Sequence, residues 1–79
     1  MWYVYLLRCE DRSIYTGVTR DVEKRFLEHK RGKGARYTRS HKPIKVLHVE
    51  RYAKKGRALK REFEIKGLKR AQKEALFAP

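Results

Sequence analysis

This 79-residue chain predicts a small α/β fold: a three-stranded, mainly antiparallel sheet flanked by helices, in the order ββαβαα. Three observations lead there. The chain opens on an aromatic and β-branched run, Trp2 to Leu7, and a second such run follows a short polar stretch. Later segments switch to helical spacing and stop at glycines. Hydrophobic residues make up 41% of the chain, enough for a modest core, and 9.5 kDa leaves room for one domain, residues 1–79.

Trp2 to Leu7 (Trp-Tyr-Val-Tyr-Leu-Leu) is too short for a core helix and reads as a buried strand. Cys9 to Ser13 is polar and turn-like. Ile14 to Thr19 is a second strand, and the short connection predicts an antiparallel hairpin. Asp21 caps a helix running to about Arg31, which Gly32 ends in the left-handed conformation. Lys33 to Pro43 reads as a basic loop and Val46 to Tyr52 as the third strand. A helix from about Arg57 to Lys66, stopped by Gly67, and a last one from Lys69 to Phe77 complete the chain.

Lys and Arg number 22 against 9 Asp and Glu, a formal charge of +13. The excess lies in residues 20–45 and 51–73, while the first 19 residues are balanced. A positive surface over a neutral core selects polyanions, nucleic acid foremost, with solubility or ribosome association as the plainer alternatives. The basic loop offers Lys33, Arg36, Tyr37, Arg39 and Lys42 as nucleic-acid contacts. A single cysteine, Cys9, rules out an intrachain disulfide, and Cys9, His29, His41 and His48 lack the paired spacing of a structural zinc site. No apolar run approaches the ~20 residues of a membrane span, and the N-terminus lacks signal-peptide order. The expectation is a reduced, cytoplasmic protein without membrane contact.

Candidate chemistry begins on the hairpin. A turn around Asp11 pairs Tyr5 near Gly17 and Leu7 near Tyr15, placing Tyr5 and Tyr15 on one sheet face with a hollow at Gly17. On the first helix, Arg25 and His29 are four apart beside the Val22/Phe26 stripe; the plainer reading is that they snorkel to water. Glu28, Lys24 and Arg31 read as ordinary solvated charge. On the later helix Ala58, Leu59, Phe63 and Ile65 define the expected apolar face, with Glu62 near its middle and Glu64 opposite. A carboxylate there must be paired or hold a metal, and Lys66, four residues on, is the obvious ion-pair partner.

Together these residues resemble the GIY-YIG nucleases, in particular the small bacterial and archaeal members made of the catalytic domain alone. Tyr3-Val4-Tyr5 takes the place of the first motif and Tyr15-Thr16-Gly17 that of the second. Tyr5, Tyr15 and Arg25 follow at intervals of ten, and Glu62 closes Ala-Leu-Lys-Arg-Glu as in the family's metal-binding helix. His29 stands where the family has Tyr or His, and Gly32 to Arg39 and Glu64-Ile65-Lys66 are typical of the small subgroup. Tyr3 replaces the first motif's glycine, Val4 and Thr16 replace isoleucines, and the Asn that larger members carry beyond the metal helix has no counterpart.

The resemblance implies a metal-dependent DNA endonuclease of repair or recombination type, hydrolysing phosphodiesters by substrate shape and not base sequence. Glu62 would hold a single Mg²⁺ or Mn²⁺, since such ions commonly use one or two carboxylates plus waters and substrate phosphate. Tyr5 would accept or relay the water's proton, Tyr15 would orient the water or hold phosphate, and Arg25 would serve the scissile phosphate. His29 is the rival general base, and the sequence leaves that choice open. DNA, branched and single-stranded forms included, is the expected partner, with RNA a further option. The alternative is a nucleic-acid-binding module of the same fold with little catalysis.

Overall fold

The computed structural model describes residues 1–78, so the expected 1–79 domain extends one residue outside them. The elements are β1 (Trp2–Cys9), β2 (Ile14–Thr19), α1 (Val22–Lys30), α2 (Arg36–Ser40), β3 (Pro43–Tyr52), α3 (Lys55–Lys66) and α4 (Arg70–Ala75). The predicted ββαβαα order holds, with one short helix added. The sheet is antiparallel in the order β2-β1-β3, so the most apolar strand lies in the middle and is buried on both faces.

The two faces of β1 do different jobs. Val4 and Leu6 pack with Ala58 and Ile65 of α3, and Trp2, Ile14, Val18, Leu47, Leu76 and Phe77 close around them. Tyr5 faces the other way, toward α1 and α2. Alternation therefore separates a dry core from a polar aromatic cluster. The hairpin turn carries Arg12 in the left-handed region at φ 70°, and Asp11 accepts from the Ser13 amide and hydroxyl.

Asp21 caps α1 by accepting from the Lys24 amide at 3.0 Å, and Gly32 at φ 75° ends it, both as the sequence predicts. Several details differ from expectation, among them the start of α3 at Lys55 and the end of α4 at Ala75. The ladder carries β1 through Arg8 and Cys9 and starts β3 at Pro43, which pairs with Cys9 where a strand's first residue needs no inward amide. A bulge between Leu6 and Leu7 makes Leu47 the extra residue of β3. The basic loop contains α2, because Thr38 is drawn inward to a buried partner and its neighbours wind around it.

The face of α3 is the larger correction. Ala58 and Ile65 are buried, but Leu59 is 43% and Phe63 81% exposed. The inward stripe is Ala58, Arg61, Glu62 and Ile65, at helical spacing. Arg61 sets this roll: its guanidinium donates to both carboxylate oxygens of Glu50 on β3, at 2.8 and 3.2 Å. His48 and Tyr52 bond the same carboxylate at 2.8 and 2.7 Å. Burial pushes the Glu50 carboxyl up, but Arg61, His48 and Tyr52 outweigh it and hold the pKa down to about 2.

Candidate active site

The register of the hairpin places Tyr5 opposite Gly17 and Leu7 opposite Tyr15. The expected hollow is filled by the Tyr5 ring itself: a Cβ at Gly17 would stand 2.5 Å from the Tyr5 hydroxyl oxygen. Glycine is thus the space in which a buried tyrosine lies flat against the neighbouring strand. The Tyr15 ring sits 6.3 Å from Tyr5, centroid to centroid, at a tilt of 48°.

His29 projects from α1 onto both tyrosines. It is buried, 1% exposed, and does not snorkel to water. Its Nε2 lies 2.7 Å from the Tyr5 hydroxyl, and its ring meets Tyr15 edge-on at 5.0 Å. The other nitrogen has two neighbours. Nδ1 lies 2.6 Å from Thr38 Oγ1, whose hydroxyl donates to the Ala35 carbonyl at 2.9 Å, and the Ala35 amide donates toward the same nitrogen at 3.4 Å. Nε2 and the Tyr5 hydroxyl share one short hydrogen bond. Gly34 packs against the same imidazole, where any side chain would collide with the ring. Burial, and next the Arg25 charge, lower the His29 pKa to about 4, so the ring is neutral near pH 7.

Burial and the nearby Tyr15 raise the Tyr5 pKa well above the ordinary phenol value. Arg25, one turn before His29, opposes them with a cation beside the phenol. Glu28, expected to be solvated, holds Arg25 at 3.3 Å. Glu62 approaches from α3, and its negative charge further raises the Tyr5 pKa. Its side chain is 19% exposed and pairs with Lys66 at 3.3 Å, while Glu64 is 53% exposed.

The structure thus brings Tyr5, Tyr15, Arg25 and His29 into one cluster, with Glu62 at its border. Lys33, Arg36, Tyr37, Arg39 and Lys42 are all exposed. Among them Tyr37 stacks on Tyr15 at 6.0 Å and on His41 at 4.0 Å, which joins the basic segment to the cluster. Sequence reasoning passed over Thr38, Gly34 and the Glu50–Arg61 pair. The Arg-Tyr-Thr-Arg run held the only local trace of Thr38. Among the described residues no three His, Cys, Asp or Glu side chains gather as a metal site. Of the two carboxylates at the cluster, Glu28 is engaged by Arg25, and Glu62 offers a donor set that fits a hydrated Mg²⁺ or Mn²⁺ completed by substrate phosphate.

Comparison with known proteins identifies the family. The family model for the GIY-YIG catalytic domain matches residues 1–75. A UPF0213 protein of Cupriavidus necator is 58% identical over 77 residues, covering 98% of this chain and 84% of that protein. One from Halobacterium salinarum is 49% identical, covering 98% of this chain and 100% of its own length. The solution NMR structure of the UPF0213 protein of Bacillus halodurans superposes with a TM-score of 0.61 at 44% identity, covering 96% of this chain and 82% of that one. With this match over nearly its whole length, the chain belongs to the GIY-YIG nuclease family, alongside the small UPF0213 proteins.

Proposed function

We propose that the protein is a divalent-metal-dependent endonuclease that hydrolyses DNA phosphodiesters, choosing its substrate by shape and not by base sequence. The observation that carries this is the buried Tyr5 hydroxyl bonded at 2.7 Å to Nε2 of a neutral His29. Burial alone makes Tyr5 a poor base, because it disfavours the phenolate. A relay avoids the buried phenolate, and the anionic phosphate at the site would favour the imidazolium it leaves. A water seated against Tyr5 passes its proton to the phenol oxygen while the phenol's own proton moves to His29 Nε2. The relay runs through the tautomer with Nε2 bare, in which Nδ1–H donates to Thr38 Oγ1. Tyr5 and His29 are in this reading two links of one base, which answers the rivalry the sequence leaves open.

Arg25 faces the charge that grows on the attacked phosphate, and Tyr15 positions the phosphate or the water. Glu62 would hold the divalent ion, which supplies charge neutralisation at the phosphate oxygens. Shape selection is supported by the exposed Arg36 and Arg39 on a five-residue helix, suited to backbone phosphates more than to base edges. A repair or recombination role rests on that selection, and the buried unpaired Cys9 thiol suits the reduced cytoplasm.

One observation favours the binding-module reading: Lys66 already neutralises Glu62. A nicking assay on supercoiled, single-stranded, branched and RNA substrates, with and without Mg²⁺ or Mn²⁺, separates the two. Metal-dependent cleavage is expected on at least one DNA form. Tight binding with no cleavage of any substrate under either metal would favour the binding module.

A further inference from the structure

Beside the candidate catalytic cluster lies a cleft on the outer edge of β2, which pairs with no strand on that side. It has a volume of about 260 Å³ and is lined by Ile14, Tyr15, Thr16, Tyr37, Lys66 and Lys73. That is below the ~300 Å³ at which small-molecule pockets begin, and suits one compact anionic group. Two ammonium groups enter from α3 and from α4, and there is no carboxylate in the lining.

A further observation points to a ligand here. Thr16 is 3% exposed, and its hydroxyl is the buried side-chain polar atom without a partner among the described residues. Buried hydroxyls are almost always satisfied, and Thr16 stands in the lining of this cleft with a bond still to make. Tyr15 joins the cleft to the cluster, since its ring contacts both His29 and Tyr37. Lys66 joins it to Glu62.

We propose that this cleft is a phosphate subsite: it holds a backbone phosphate of the nucleic-acid strand next to the phosphodiester that is cut. Lys73 and Lys66 supply the charge, and the Thr16 and Tyr37 hydroxyls are the neutral donors. The proposal rests on the nuclease reading above and adds to it the place where the strand is held. Gripping the phosphate beside the scissile one fixes the reacting phosphorus against Tyr5 without reading any base. Lys66 divides its charge between this phosphate and Glu62, so strand binding frees Glu62 for a divalent ion.

Binding without cleavage tests it. Fluorescein-labelled single-stranded and junction DNA are titrated in EDTA over a range of salt, followed by fluorescence anisotropy. Lys73→Gln is expected to lower the slope of log affinity against log salt by about one phosphate contact's worth. Lys73→Arg should restore the slope, and Thr16→Val should weaken binding while the melting temperature holds or rises. A methylphosphonate walked along the strand should reproduce the Lys73→Gln loss at one position, and at that position cost the variant nothing more. An unchanged slope in Lys73→Gln, with Arg36→Gln still lowering it, overturns the subsite and leaves the nuclease reading standing. No salt-dependent binding by the wild type overturns both.

Discussion

Tyr5 shows how one residue's surroundings decide its chemistry. Tyr5→Phe keeps the ring that fills the space over Gly17 and removes only the hydroxyl bonded to His29 Nε2. Cleavage is expected to fall by ~10²–10⁴-fold, the usual worth of a proton-transfer group. Leaving Nε2 buried without a partner should lower stability by about 1–3 kcal/mol, read by urea unfolding. A variant cutting at the wild-type rate would remove Tyr5 from the relay. Glu62→Gln should abolish metal-dependent cleavage with DNA binding nearly intact. Its ion pair with a half-exposed Lys66 is worth ~1 kcal/mol at most, so the fold should survive the change. Glu64→Gln is the control: it is 53% exposed and should be silent in both assays. Full activity in Glu62→Gln would end the metal reading, and unfolding would make Glu62 a structural partner of Lys66.

Among the elements, α3 matters most because it carries Glu62 yet reaches the sheet through other residues. Arg61, one residue earlier, ties it to Glu50 on β3, and Ala58 and Ile65 seat it on Val4 and Leu6. Arg61→Ala leaves the Glu50 carboxylate, itself only 19% exposed, with His48 and Tyr52 alone. The expected cost is about 2 kcal/mol. In a domain of this size that is a fall in Tm on the order of 10 °C by calorimetry. Cleavage should fall as well, at temperatures where the variant is still folded, since the roll of α3 sets the Glu62 position. An unchanged Tm would show that the apolar contacts hold α3 unaided.

The whole molecule is governed by charge and by pH. His29 has its folded pKa lowered from 6.5 to about 4, so the unfolded chain binds its proton first. Stability is therefore full above pH 6.5 and declines as pH falls from there to 4. Glu50, lowered from 4.5 to about 2, adds a second decline below pH 4.5. Urea titrations across this range should show both, and His29→Gln should lack the first; the same decline in that variant would refute the assignment. At +13, DNA binding should weaken steeply with salt and vary little with sequence. Arg36→Gln and Arg39→Gln should each reduce the salt slope by about one, and a salt-independent affinity would contradict the electrostatic account.

The sequence by itself determined what depends on near neighbours along the chain. Strand alternation put Tyr5 opposite Gly17 and Tyr15 diagonal to it, because a hairpin with a short turn permits one register. Asp21 and Gly32 bounded α1 by chemistry internal to the helix ends, and the positive field was a matter of counting. Only the tertiary structure decided the rest. The rotation of α3 was misread because Leu59 and Phe63 are as apolar as any core residue, and what turned them outward was Glu50, eleven residues before Arg61. The basic loop became α2 because Thr38 found His29 nine residues away. His29 itself is buried and neutral because Gly34, Thr38 and Tyr5 enclose it from three segments of the chain. Periodicity reports which side of a helix is apolar. It does not report what the fold brings against that side, and a histidine's pKa and tautomer depend on those neighbours.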